Sequence, residues 1–143
     1  VAAVISPADF LMLHARRAHA FGTWDCAFAA AEYGRAVTGI DFAAPFRGRY
    51  RTALGCARVL RREGGIATIF AAVADQHRVP RVDEPAEGDL GIIAFRQDDR
   101  DCRAAAIRLP MGWAWLLHDG RWIISEAPHV LGHVWRLSQR DHG

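Results

Sequence analysis

Asp25 and Cys26 stand side by side, directly ahead of the small-residue run AFAAAEYGRAV. A cysteine in the first turn of a helix faces unpaired backbone N–H groups and the positive end of the helix dipole, and both favour the thiolate. Cys26 is therefore the candidate nucleophile. Asp25 works against it, because a neighbouring carboxylate disfavours a second negative charge. The competing reading is a buried cysteine acting as a small apolar side chain. Attack by a cysteine also needs a base within hydrogen-bond reach. His118, at the HDG turn, and His129, near the C-terminal end, are the candidate bases. His133 and His14 are further histidines, and spacing forces no choice among the four. Cys56 precedes Leu60 by one helical turn and reads as core. Cys102 follows three aspartates and is not a nucleophile candidate.

The second constellation is PFRGRYRT, in which Arg47, Arg49 and Arg51 alternate. In an extended chain their guanidinium groups face one way and can grip carboxylates or phosphates of a partner. Tyr50 belongs to the same candidate partner-binding stretch, and Phe46 and Tyr50 are expected to anchor it to the core. Trp113, Trp115, Trp122 and Trp135 fall in the C-terminal half. Trp113 and Trp115 share a face if their segment is a strand, and exposed aromatics of this kind would serve as interface anchors.

Composition narrows the function classes. All 18 residues of the Lys+Arg count are arginine, yet the formal net charge is only +2, too small to imply nucleic-acid binding. No apolar run approaches the roughly 20 residues that span a bilayer. The opening VAAVISPADF has no basic n-region, so no secretory signal is expected. The three cysteines form no CxxC pair, which fits neither a disulfide framework nor a zinc site and suggests free thiols in a reducing cytoplasm. His129 and His133 are four apart, but PHVLGHVWRL reads as a strand or turn. No metal site and no cofactor is expected.

These residues need elements to position them. Ser6-Pro7 starts a first helix that is expected to run to about Ala20, with Phe10, Leu11, Leu13 and His14 turned inward. Asp25 caps a second, from Cys26 to about Val37, ended by Gly39 and placed centrally because its alanines tolerate close neighbours. Thr52 caps a third, ALGCARVLRRE, and IATIFAAVADQ forms a fourth. His77 to Glu87, with two prolines, is the crossing to a β half. Five strands are expected there: LGIIAF, AAAIRL, WAWLL, RWIIS and HVWRL, with QDDRD as a solvated turn and HDG as a hairpin turn. The layout is α+β in one domain, residues 1–143, with a helical half at about 6–76 and a sheet half at about 88–137.

Three stretches, TWDCAFAAAEYGRAVTGID, FRGRYRTALGCARVLRREGG and EGDLGIIAF, resemble a family of small proteins encoded in phage and prophage tail-gene clusters. That family is similar to divergent NlpC-type papain-like cell-wall peptidases. The match runs from Trp24 to about Phe95 and continues more loosely to HVWRL. The resemblance implies a papain-like α+β fold, with N-terminal helices on a small antiparallel sheet or half-barrel and Cys26 in the nucleophile's position. In the active peptidases the base is a histidine opening the strand after the GD strand. Here that slot falls near Ala104 or Ala105, neither of which takes a proton. General-base help is typically worth about 10²–10⁴-fold, so the expected protein is catalytically impaired. The implied role is a structural component at a phage tail tip or baseplate. It would be made in the bacterial cytoplasm and bind other tail proteins through the arginine loop and exposed aromatics. A cysteine peptidase or amidase acting on cell-wall peptide, and a tail assembly chaperone, are the alternatives.

Overall fold

The computed structural model describes residues 5–137. Its N-terminal part holds four helices: α1 (Pro7–Leu13), α2 (Phe28–Thr38), α3 (Ala53–Glu63) and α4 (Ile66–Gln76). Six strands follow: β1 (Arg81–Val82), β2 (Leu90–Gln97), β3 (Arg100–Leu109), β4 (Gly112–Leu116), β5 (Trp122–Ser125) and β6 (His129–Trp135). The strands make one open antiparallel sheet in the order β1-β6-β2-β3-β4-β5. The α+β class is as expected.

The helix boundaries follow local chemistry. Ser6 accepts the Asp9 N–H ahead of Pro7, and Thr52 accepts the Gly55 N–H, two side-chain caps. Gly39 and Gly64 end α2 and α3 in the left-handed conformation. α1 is shorter than expected, ending at Leu13, and Leu13 is exposed rather than inward. The chain bends there because His14 stacks on Trp24 and Ala20 pairs with Trp24 across a tight turn. A helix continued to Ala20 would separate these partners.

Each face of the sheet carries apolar side chains. Leu90, Ile92, Ala105, Ile107, Ala114, Leu116 and Trp135 face the helices and join the main core with Phe28, Phe42, Phe46 and Phe70. The alternate positions Ile93, Ala104, Ala106, Trp113, Trp115 and Val134 form a second cluster on the other face. Trp113 of β4 reaches over to Gly91 of β2, where an added Cβ would lie 2.8 Å from the indole. The β2–β6 register shifts between Gly91 and Ile92, which marks a bulge at the same place. Gly34 does similar work in α2, since a Cβ there would come within 3.2 Å of Leu90 and Phe42.

Three strand expectations are corrected. β1 lies inside the stretch read as a crossing. β3 starts at Arg100 rather than Ala104, so only Asp98 and Asp99 form the β2–β3 turn. β6 starts at His129 rather than His133.

Candidate functional site

The head of α2 is organised by Asp25, whose residue is fully buried. One carboxylate oxygen accepts the N–H groups of Ala27 and Phe28, both at 3.0 Å. The other accepts the Gly22 N–H at 2.9 Å and the Tyr50 hydroxyl at 2.6 Å. Asp25 holds the turn that leads into α2, as its sequence position implies, but the helix itself starts at Phe28 rather than Cys26, and the Ala27 and Phe28 N–H groups are taken up by the carboxylate.

Cys26 follows in the turn before α2. Its carbonyl accepts the Ala105 N–H at 2.9 Å, which ties the helix head to β3. Its side chain packs against the second apolar cluster, which includes Ala104, Trp113 and Trp115. Part of the residue's surface is accessible, yet the sulfur is surrounded densely enough that burial pushes the thiol well above the ordinary cysteine range. The Asp25 carboxylate adds to this, and Cys56 and Cys102 add less. No histidine contributes. Desolvation and a like charge therefore outweigh the helix dipole, and Cys26 stays protonated at neutral pH.

The slot expected for a base is occupied by Ala104 and Ala105, both buried, with Ala104 on the Cys26 side of the sheet. The candidate bases lie elsewhere. His118 is exposed at the β4–β5 turn and His129 is exposed at the start of β6, opposite Ala94. His118 lines an open cleft of about 640 Å³ together with Phe21, Ala53, Gln97, Asp98, Arg100 and Cys102. His129 borders a different depression, beside Phe95, Cys102 and Leu131. The structure brings neither imidazole to the Cys26 sulfur.

Two residues that sequence reasoning passed over belong to this region. Cys102, half-exposed on β3, lines both depressions, so the thiol at the cleft is Cys102. Its alternation with Ala104 along the strand was the available signal. His19 stacks edge-on against Phe21 and feels the charges of Asp25, His118 and Asp119. Burial lowers its pKa below the ordinary histidine value, with Asp25 opposing. His19 sits in a loop without periodicity, and nothing local in the sequence marks it.

The arginine stretch is corrected. Ala44–Phe46 form a short 3-10 turn and Gly48 has positive φ, so the chain is not extended and the guanidiniums do not align. Arg47 pairs with Glu32 at 2.6 Å and with Asp41 at 2.5 Å. Its pKa is raised by the hydrogen bond to Asp41, and burial, which would raise that of Asp41, is outweighed by the Arg47 hydrogen bond and charge and by the Ala43 N–H, so Asp41 is lowered. Arg49 holds the Pro45 carbonyl and Glu63. Arg51 is exposed, while Tyr50 is buried against Asp25 and Cys56. Phe46 and Tyr50 do anchor the loop. The aromatic anchors are corrected too: Trp113, Trp115 and Trp135 are buried in the two clusters, and Trp122 packs on Phe10 and Trp24.

Among the described residues no helix is long and apolar enough to cross a membrane, and no group of three or more ligating side chains is placed to hold a metal ion. The molecule is an α+β protein whose central helix is headed by the buried Asp25 and by Cys26, with a separate open cleft lined by Cys102 and His118. Residues 6–134 match the family described as Domain of unknown function (DUF6950), and the chain belongs to that family. No curated protein and no solved structure matches it.

Proposed function

We propose that the chain is a docking component of a tailed phage or phage-derived particle, at the tail tip or baseplate, built on a papain-like scaffold of NlpC type that no longer hydrolyses peptide bonds. The observation that supports the second half of this reading is that Ala104 and Ala105, buried and tied to Cys26 through the Ala105 N–H, fill the slot where the resemblance puts the catalytic histidine. The tail setting rests on the resemblance of the three stretches around Cys26, Arg47 to Gly65 and Gly88 to Phe95. The arginine loop and the tryptophans are engaged within the chain. Contact with other tail proteins therefore falls to the cleft beside Phe21, Arg100 and His118.

Thiol reactivity and particle composition test the reading together. At pH 8 a water-soluble maleimide should label Cys102 rapidly, because it lines the open cleft, and Cys26 far more slowly, because burial raises its thiol pKa and only a thiolate attacks. Cys26→Ala particles should contain the chain, by mass spectrometry, and infect as wild type does. Labelling of Cys26 ahead of Cys102, with loss of wall digestion in Cys26→Ala, would make the protein a working cell-wall peptidase. A chain needed for tail formation yet missing from purified particles would make it an assembly chaperone.

A further inference from the structure

β3 pairs with β2 from Arg100 opposite Gln97 to Ile107 opposite Leu90. On its other side β4 meets it only at Ile107, Arg108 and Leu109. Backbone direction alternates along a strand. Arg108 N–H donates to Asp89 on the β2 side, and Ala105 N–H donates to Cys26 on the opposite side. Asp101 and Arg103 share the parity of Ala105, so their N–H and C=O groups point away from β2. Among the described residues no backbone group meets them there. Arg100, Asp101 and Arg103 are exposed. Such an edge is a template for another strand.

Charge selects the strand that fits. The edge presents Asp101 and Arg103 two residues apart on one face, so a complementary antiparallel strand needs an arginine opposite Asp101 and an aspartate opposite Arg103. A second copy of the same segment supplies both. With Cys102 on the two-fold axis, each Asp101 stands opposite the other copy's Arg103, and the odd-numbered backbone groups of both strands face each other. Sliding by one step either way puts Asp101 against Asp101 or Arg103 against Arg103, which repel. Arg96, bonded to Asp101 at 2.7 Å, flanks the pair without filling the edge.

We propose that two copies of this chain associate edge to edge through β3, antiparallel about Cys102, extending the sheet across an isologous two-fold interface. The contact is short, so the association is reversible and concentration-dependent. It makes Cys102 a non-hydrogen-bonded cross-strand pair, with Cα atoms about 4.5 Å apart. That spacing is compatible with a disulfide.

Light scattering across a wide concentration range tests it. Wild type should pass from monomer to dimer. Asp101→Arg and Arg103→Asp should each weaken the dimer by about tenfold or more, and the double reversal should restore it, because the pair is reciprocal. All three variants change exposed side chains, so circular dichroism should stay as wild type. With oxidised glutathione as the oxidant, one Cys102 thiolate displaces a glutathione to form a mixed disulfide. The partner's Cys102 thiolate then displaces the second, leaving one interchain S–S bond, two released glutathione thiols and no other product. Cross-linked dimer should form in wild type and in the Cys26→Ser, Cys56→Ser double variant, and vanish in Cys102→Ser. A monomer at every concentration, or a dimer indifferent to the reversals and to Cys102, overturns the proposal and leaves the edge charges as a guard against pairing.

Discussion

Two buried carboxylates head the two halves of the molecule, and they are held in opposite ways. Asp25, at the head of α2, is met only by neutral donors: three backbone N–H groups and the Tyr50 hydroxyl. Asp89, ahead of β2, is met by the Arg136 guanidinium at 3.1 Å through two nitrogens and by the Ala86 N–H at 2.7 Å. Burial is the larger cause that keeps the Cys26 thiol protonated, and the Asp25 carboxylate, with no cation against it, adds to it. Asp89 has its charge cancelled and serves as a clasp, fixing the chain beyond β6 to the start of β2. The difference shows which carboxylate bears on thiol chemistry. The one at the cysteine is built for local geometry, at the expense of ionising its neighbour.

Substitutions should rank the two. Asp25→Ala leaves three backbone N–H groups and a hydroxyl without an acceptor in a buried setting, at about 1–3 kcal/mol each before relaxation. Because neighbouring losses do not simply add, urea denaturation should show a loss of about 3–5 kcal/mol, or failure to fold. Arg136→Ala removes the cation from Asp89 but leaves the Ala86 N–H. The arginine side chain is 43% exposed, so water screens the pair. The expected loss in the same urea titration is clearly smaller than that of Asp25→Ala. Equal losses in the two variants would mean that the clasp matters as much as the cap and would remove the contrast.

The same contrast explains what was legible in the sequence. Asp25, Ser6 and Thr52 are caps with partners two or three residues away, so local reasoning finds them. α4 was readable to its ends because Gly65 and the apolar periodicity of Ile66, Ile69, Phe70 and Val73 bound it. The arginine loop was misread because Glu32 and Glu63, which neutralise Arg47 and Arg49, are 15 and 14 residues distant. The first part of β3 was missed because Asp98 and Asp99 make a two-residue turn with φ of 51° and 61°, without the glycine that usually signals it. At the candidate site, the cysteine at a helix head was visible. Its burial beneath Ala104 and Trp115 was not, since those neighbours come from strands some 80 residues away in the chain.

The smallest effect in the ranking reports on the charge of Asp25 directly. His19 feels Asp25 but burial dominates, so its pKa lies below the ordinary value of 6.5. A depressed histidine favours the neutral folded form. Its contribution to stability is intact above pH 6.5 and is lost as pH falls toward the folded-state value, where the unfolded chain binds more protons. Asp25 opposes this depression by raising the pKa. Asp25→Asn removes the charge and keeps one oxygen to accept the Ala27 and Phe28 N–H groups, so in the variant that circular dichroism shows to be folded the His19 titration, followed by NMR, should move further down. Arg136→Ala, at the other carboxylate, should leave it in place. An upward or absent shift in Asp25→Asn would mean that Asp25 carries no charge in the folded protein. The carboxylate would then no longer count among the forces that keep Cys26 protonated, and burial alone would have to account for the silent thiol.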